Sequence, residues 1–184
     1  MSDSDAFVIS VVQSANPSES IRQAVDEAGV GSSRVQDVIF GLDESRSIDA
    51  EKILSTSALA CSAAIVSSSL RAVFFAAQSI LSFDLDVVMV VGIENDVSTA
   101  ILLAAPDAVG RWNLIPRARL AVRSWKGGDA VLRAAGIESK DVTTSKDGKD
   151  GARLIKEALN EMEEKSGRWG VITLDELALL IEKI

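Results

Sequence analysis

The chain contains no histidine and no tyrosine. Histidine is the ordinary general base near neutral pH and a frequent metal ligand. Its absence excludes Ser-His-Asp and Cys-His catalysis and every histidine metal site. The missing tyrosine removes another acid–base group. Cys61 is the single cysteine, so no intrachain disulfide can form and no cysteine zinc site is expected. No metal is expected on these grounds. No apolar run approaches the roughly 20 residues of a membrane-spanning helix. Met1–Asp5 is polar and acidic, unlike a secretory signal. The default expectation is a cytoplasmic location without a membrane partner. Cationic residues are outnumbered, 19 Lys+Arg against 27 Asp+Glu, for a net charge of −8. That balance argues against a nucleic-acid partner.

What the chain does have is core material. Hydrophobic residues make up 47% of its 184 positions. A single domain over 1–184 is expected, built as two small halves sharing a core. Phe7–Val12 reads as a strand buried on both faces. Asn16–Pro17–Ser18–Glu19 is a helix start, with Asn16 as N-cap and Glu19 placed to bond back, and Gly29 stops that helix. Val35–Phe40 reads as a strand or short extended segment, and Asp49–Leu54 as a helix. Ala58–Val66 reads as a small-residue strand that lets another layer or subunit approach closely. Three serines, Ser67–Ser69, then lead into helical spacing at Leu70, Val73, Phe74, Ala77, Ile80 and Leu81. After a break at Phe83–Asp86, Val87–Val91 is a continuous apolar strand. Strand, tight turn, helix, strand is a βαβ unit. Such a turn is a common place for a nucleophile, because the helix N-terminus offers free N–H groups.

Ile93–Pro116 reads as a short helix or irregular connection, broken at Pro106, Gly110 and Pro116. Arg117–Arg123 alternates like a strand with one exposed face. Asp129–Ala135 is a short helix, Asp141–Ser145 a strand remnant, and Lys146–Asp150 a polar loop without Walker chemistry. Ala152–Lys165 is a helix and Trp169–Leu174 a strand. Asp175–Ile184 has two readings that both stay open. Thr173 and Glu176 have capping-box spacing for a helix. Alternatively Asp175–Glu176 is a hairpin turn and Leu177–Ile181 an edge strand. Ala28–Gly29–Val30 before Val35 matches Ala135–Gly136–Ile137 before Val142. A long helix and a strand then follow in both places, which implies two copies of one α/β unit, over about 6–95 and 117–184.

AFVISVVQS at Ala6–Ser14, AVDEAGVGSSRVQDVIFG at Ala24–Gly41, SSLRAVFFAAQSI at Ser68–Ile80 and DVVMVVGIEN at Asp86–Asn95 resemble the N-terminal half of a thiolase. GARLIKEALNEM at Gly151–Met162 and GRWGVITL at Gly167–Leu174 resemble the late C-terminal half. The resemblance covers most of the chain in order. It implies an α/β fold of five layers, αβαβα, from two duplicated halves, here in a minimal, truncated version without the loop domain. It also implies dimerisation through the strand before the nucleophile, Ala58–Val66. The family activity is acyl transfer of the acetyl-CoA acetyltransferase type, with an acyl chain carried on a cysteine.

Every catalytic position that the resemblance places is altered. Val66 stands at the nucleophile position, and Ser67 and Ser69 replace the glycines around Ser68. The family's histidines are missing, the Asn-Glu-Ala-Phe and Gly-His-Pro segments are deleted between Val142 and Gly151, and Asp175 stands at the second cysteine position. The expectation is a catalytically degenerate thiolase-like protein acting as a binding, partner or scaffold subunit. It would be a homodimer through Ala58–Val66 or a heteromer with an active thiolase. No cofactor is required, and coenzyme A or an acyl-CoA is the ligand the resemblance admits. The competing class is an acyltransferase or thioester hydrolase using a serine of Ser67–Ser69 with Asp175 or Glu94. A ligand-free structural homodimer is the third.

Each candidate has a plainer reading beside the functional one. Ser67 or Ser68 serves as an N-cap, and Cys61 as a small buried residue inside its strand. Arg117, Arg119 and Arg123, with Arg111, Lys126 and Arg133, either bind nucleotide phosphates or form a solvated face paired with acids. Glu94 and Asp96 follow a buried strand, where α/β sites gather, and read as solvated loop acids. Trp112, Trp125 and Trp169 read as packing or interface residues.

Overall fold

A computed structural model describes residues 6–43, 45–83 and 85–184. The acidic start at Met1–Asp5 lies outside the described residues, as does Asp84 within the break expected at Phe83–Asp86. The first half runs β1 (Ala6–Ser14), α1 (Pro17–Ala28), β2 (Asp37–Leu42), α2 (Ala50–Thr56), β3 (Ser62–Val66), α3 (Ser69–Phe83), β4 (Val87–Glu94) and β5 (Val97–Ala104). Helix α4 (Pro106–Trp112) follows. The rest is β6 (Ala118–Ser124), α5 (Gly128–Ala135), β7 (Val142–Asp147), α6 (Gly151–Glu164), β8 (Trp169–Leu174) and β9 (Leu177–Lys183).

Local chemistry explains most boundaries. Asn16 Oδ1 accepts from the Ser18 N–H at 2.9 Å and starts α1. Glu19 does not bond back to Asn16; its carboxylate accepts the Ser14 hydroxyl at 2.8 Å. Gly29 and Gly136 end α1 and α5 in the left-handed conformation, at φ 65° and 68°, which costs glycine nothing. A short 3₁₀ turn and a strand follow each of them.

Among the described residues nine strands run β3-β2-β4-β5-β1-β6-β9-β8-β7. Within the sheet the two halves join where Ala6–Val8 of β1 pairs with Ala118–Leu120 of β6. Three buried clusters then define the layers. The largest takes one face of both half-sheets, such as Val88, Val90, Leu179 and Ile181, together with the apolar stripes of α3 and α6. The opposite face of the first half-sheet, including Val87, Met89 and Val91, packs with residues of α1 and α4. Val131 of α5 covers Val171, Ala178 and Leu180 on the outside of the second half-sheet. The order is helix, sheet, paired helices, sheet, helix. Alternate residues of β4 enter different clusters, which explains its unbroken apolar run.

Four further sequence expectations change. The supposed connection after Ile93 is a hairpin, with β5 in the middle of the sheet and buried from Ser98 to Ala104. Its turn residues, Asn95 and Asp96, both have positive φ (48° and 62°), the requirement of a type I′ hairpin. The strand expected over Ala58–Val66 begins only at Ser62, because Ala58 is left-handed at φ 57°; Cys61 therefore precedes the strand. Asp175 (φ 52°) turns β8 into β9. The hairpin reading of Asp175–Ile184 holds, but β9 lies between β8 and β6, not at an edge. Finally, Lys146 and Asp147 belong to β7, a full parallel strand where a remnant and a loop were expected.

The N-terminal turn of α3 sits against backbone. A Cβ added at Gly41 would lie 2.2 Å from Ser69 Cα, and one at Gly151 2.4 Å from Leu70 Cβ. Gly41→Ala is expected to destabilise the fold by at least the ~1–3 kcal/mol typical of overpacking. Gly31→Ala, whose Cβ would meet nothing closer than 3.9 Å, is expected to leave the urea midpoint unchanged or slightly raised. Equal midpoints for the two variants would refute the close approach.

Candidate functional site

The N-termini of α3 and α6 meet at the carboxyl ends of β2 and β4. Ser68 Oγ accepts the Arg71 N–H at 3.2 Å and caps α3. The Ser69 hydroxyl donates to Asp150 Oδ1 at 3.0 Å, and its oxygen accepts the Ala152 N–H at 3.0 Å. The same Asp150 oxygen accepts the Arg153 N–H at 3.1 Å and so caps α6. Ser69 is 3% exposed and Asp150 7%. Glycines make the approach possible, since Gly92 is also held to within 2.7 Å of Ser69 Cβ, measured from where its Cβ would be.

Over this junction lies a cavity of about 220 Å³. Ser67, Ser68 and Ser69 line it, with Glu94 from the end of β4 and Asp175 from the β8–β9 turn. Arg71 and Lys149 bring positive charge, and Asp43 and Asp150 bring more negative charge. Burial raises the Glu94 carboxyl above its ordinary value, and a hydrogen bond to Asp150 and the negative charges of Asp150 and Asp43 add to the rise; Arg153 opposes it. No set of three histidine, cysteine, aspartate or glutamate side chains among the described residues is placed to hold a metal.

The structure therefore gathers Ser67, Ser68, Ser69, Glu94 and Asp175 from distant parts of the chain. Val66 is half-buried and packs against the central cluster. Ser67 Oγ accepts from Arg71 Nη1 at 2.6 Å. The arginines named for phosphate binding do not line the cavity. Arg117 pairs with Glu163 at 3.1 Å and Glu27 at 3.8 Å. Arg119 pairs with Glu182, which Arg168 also holds, and Arg123 donates to the Phe74 carbonyl at 3.4 Å. Asp96 is exposed and pairs with Arg46. Burial and the charge of Asp37 push the Cys61 thiol up, away from reactivity. Trp112 stacks under Arg34, and Trp125 meets Phe74 edge-on with ring centroids 5.3 Å apart.

Sequence reading passed over Asp150, Arg71 and Lys149. An N-cap signal was present at Asp150, directly before the helical spacing of α6. Arg71 lies four residues after Ser67, the spacing of helical neighbours, whereas nothing in the sequence pattern placed Lys149 near the serines.

No family model matches the sequence, and no curated protein matches it. Solved structures do. A human mitochondrial 3-ketoacyl-CoA thiolase in complex with CoA superposes with a TM-score of 0.85 at 11% identity, covering 99% of this chain and 98% of that one. The fold is thiolase-like. A second structure of human mitochondrial 3-ketoacyl-CoA thiolase gives a TM-score of 0.83 at 11% identity, with both chains covered in full. The thiolase-like layers are those defined above by the three clusters, with α3 and α6 at the centre.

Ser69→Ala would leave the buried Asp150 oxygen and the Ala152 N–H without their shared partner. The expected cost is about 1–3 kcal/mol in urea unfolding. Ser67→Ala, at the exposed end of the turn, is expected to change stability by no more than about 0.5 kcal/mol. The reverse order would overturn this account of the junction.

Proposed function

We propose that this thiolase-like protein is catalytically degenerate and acts as a binding or partner subunit. One observation carries the reading: the buried serine of the turn, Ser69, is committed to Asp150 and Ala152. The residue at the resembled nucleophile position, Val66, has no nucleophilic atom and is half-buried against the central cluster. No histidine exists to activate Ser67 or Ser68. Condensation and thiolysis by the family mechanism are absent on this reading, and the argument rests on these residues, not on chain length.

The ligand that suits the reading is coenzyme A or an acyl-CoA, the former being present in one thiolase structure of the same fold. At about 220 Å³ the cavity is smaller than the ~300–1,000 Å³ of typical ligand pockets. It suits a short acyl end, with the nucleotide outside. The enzyme alternative, acyl transfer or thioester hydrolysis, draws on Ser67, Glu94 and Asp175 lining the same cavity. Mass spectrometry after incubation with acetyl-CoA separates the two. The expected result is an unmodified chain that is thermally stabilised by coenzyme A at millimolar concentration. An acyl adduct on a serine would overturn the degenerate reading, and an unmodified chain without stabilisation would overturn the ligand.

Dimerisation through β3 is the partner reading, with a heteromer beside an active thiolase as its variant. Strand β3 is an outer edge of the sheet, and Ser62–Ile65 are all exposed, Ile65 at 52%. The opposite edge, β7, carries Lys146 and Asp147, charges that discourage pairing. An unprotected apolar edge is a template for a second strand. Ala64→Glu is expected to convert a dimer into monomers in light scattering. A monomeric native protein would refute the homodimer.

A further inference from the structure

We propose that the cavity at the α3–α6 junction binds a small carboxylate, with the Arg71 guanidinium and the hydroxyls of Ser67 and Ser68 as its hydrogen-bond donors. This rests on reading the cavity as a ligand site, and it names the group held there. Ser68 Oγ accepts the Arg71 N–H at 3.2 Å, and Ser67 Oγ accepts from Arg71 Nη1 at 2.6 Å. Both hydroxyls are thus used as acceptors, and neither gives its own proton to an acceptor among the described residues. Ser68 lines the cavity but is only 7% exposed. A hydroxyl proton in that position is satisfied by whatever fills the cavity. Ser69 differs, because it both donates and accepts within the fold.

Arg71 is held in place for the same task. Its bond to Ser67 folds the side chain back over the first turn of α3, where it lines the cavity. A guanidinium offers five N–H donors in a planar fork that matches a carboxylate. Ser67 takes one of them, and no carboxylate takes the others among the described residues. Elsewhere in the chain Arg46, Arg111, Arg117, Arg119, Arg153 and Arg168 each hold a carboxylate. Lys149 lines the cavity from the α6 side, also without a carboxylate partner among the described residues.

Asp43, Glu94, Asp150 and Asp175 line the cavity too. Among the described residues none of them bonds to the side chains of Arg71, Lys149, Ser67 or Ser68. Acidic neighbours make a multiply charged anion such as phosphate a poor match. The unspent donors complement an acceptor-only group of single charge. In a cavity of about 220 Å³ that group is the carboxylate of a short acid, free or at the far end of an acyl chain.

The test is thermal unfolding of the full chain near neutral pH and at fixed ionic strength, titrated with sodium propionate, propionamide or sodium phosphate. The expected result is a Tm rise with propionate that saturates with a midpoint on the order of 1–10 mM. Propionamide, which has the same shape without the charge, is expected to give none. Arg71→Gln alters an exposed side chain, so its unliganded Tm is expected to stay close to wild type. Its propionate midpoint is expected to rise at least about tenfold. An equal shift with propionamide, a larger shift with phosphate, or an unchanged midpoint in the variant would overturn the proposal. Arginine side-chain ¹⁵N NMR of the wild type gives a readout independent of the variant: the Arg71 signal moves on propionate addition, and an unmoved signal refutes the site. Succinyl-CoA and propionyl-CoA separate the two sources of the group. A higher Tm with succinyl-CoA supports the site on an acyl chain, and equal Tm values beside a propionate response support it for the free acid. Stabilisation by coenzyme A, with no propionate response and no preference for succinyl-CoA, overturns the carboxylate and leaves the coenzyme A reading standing. A propionate response without stabilisation by coenzyme A does the opposite.

Discussion

The hydroxyl of Ser69, held between the carboxylate of Asp150 and the N–H of Ala152, is the contact on which the rest of the structure depends. It joins the first turn of α3 to the first turn of α6, and those helices form the middle layer between both half-sheets. A buried polar group in such a place is costly unless it is bonded. Here each partner is satisfied, and no buried side-chain polar atom among the described residues lacks a partner. The geometry tolerates little movement, because Gly41, Gly92 and Gly151 leave no room for a Cβ beside Ser69 and Leu70. Elsewhere the halves touch along the brief β1–β6 pairing. Their register therefore rests on the central helices.

That junction also shapes the functional reading. A strand–turn–helix of this kind presents helix N–H groups to whatever occupies the turn. In this chain two of those opportunities are spent internally: Ser68 caps α3, and Ser69 crosses to α6. What remains open is a small cavity with more carboxylates than cations. The thiolase-like fold supplies the position, and the side chains supply the restraint.

Much of the fold was legible in the sequence wherever one signal acted alone. The caps at Asn16, Gly29 and Gly136, the helical stripe of α3 and the double-sided apolar run of β4 each allowed one reading. Strand β5 was missed because Thr99–Ala105 is apolar throughout, and such a run cannot be told from a buried helix by period. Its signal was the Asn95–Asp96 pair, which adopts the left-handed turn more often filled by Asn-Gly. At the C-terminus local helix spacing competed with a two-residue hairpin, and burial of β9 between two strands decided it. The site was half legible. Ser67–Ser69 and Asp175 were placed by resemblance, whereas Asp150 becomes visible only when α6 is packed against α3.

The central claim is that the turn at Val66–Ser69 holds the fold together and performs no acyl chemistry. Steady-state release of free coenzyme A from acetyl-CoA and acetoacetyl-CoA, followed with a thiol reagent across neutral pH, tests it most directly. The account predicts a rate no greater than that of buffer. A rate above buffer that is lost in Ser67→Ala would contradict it.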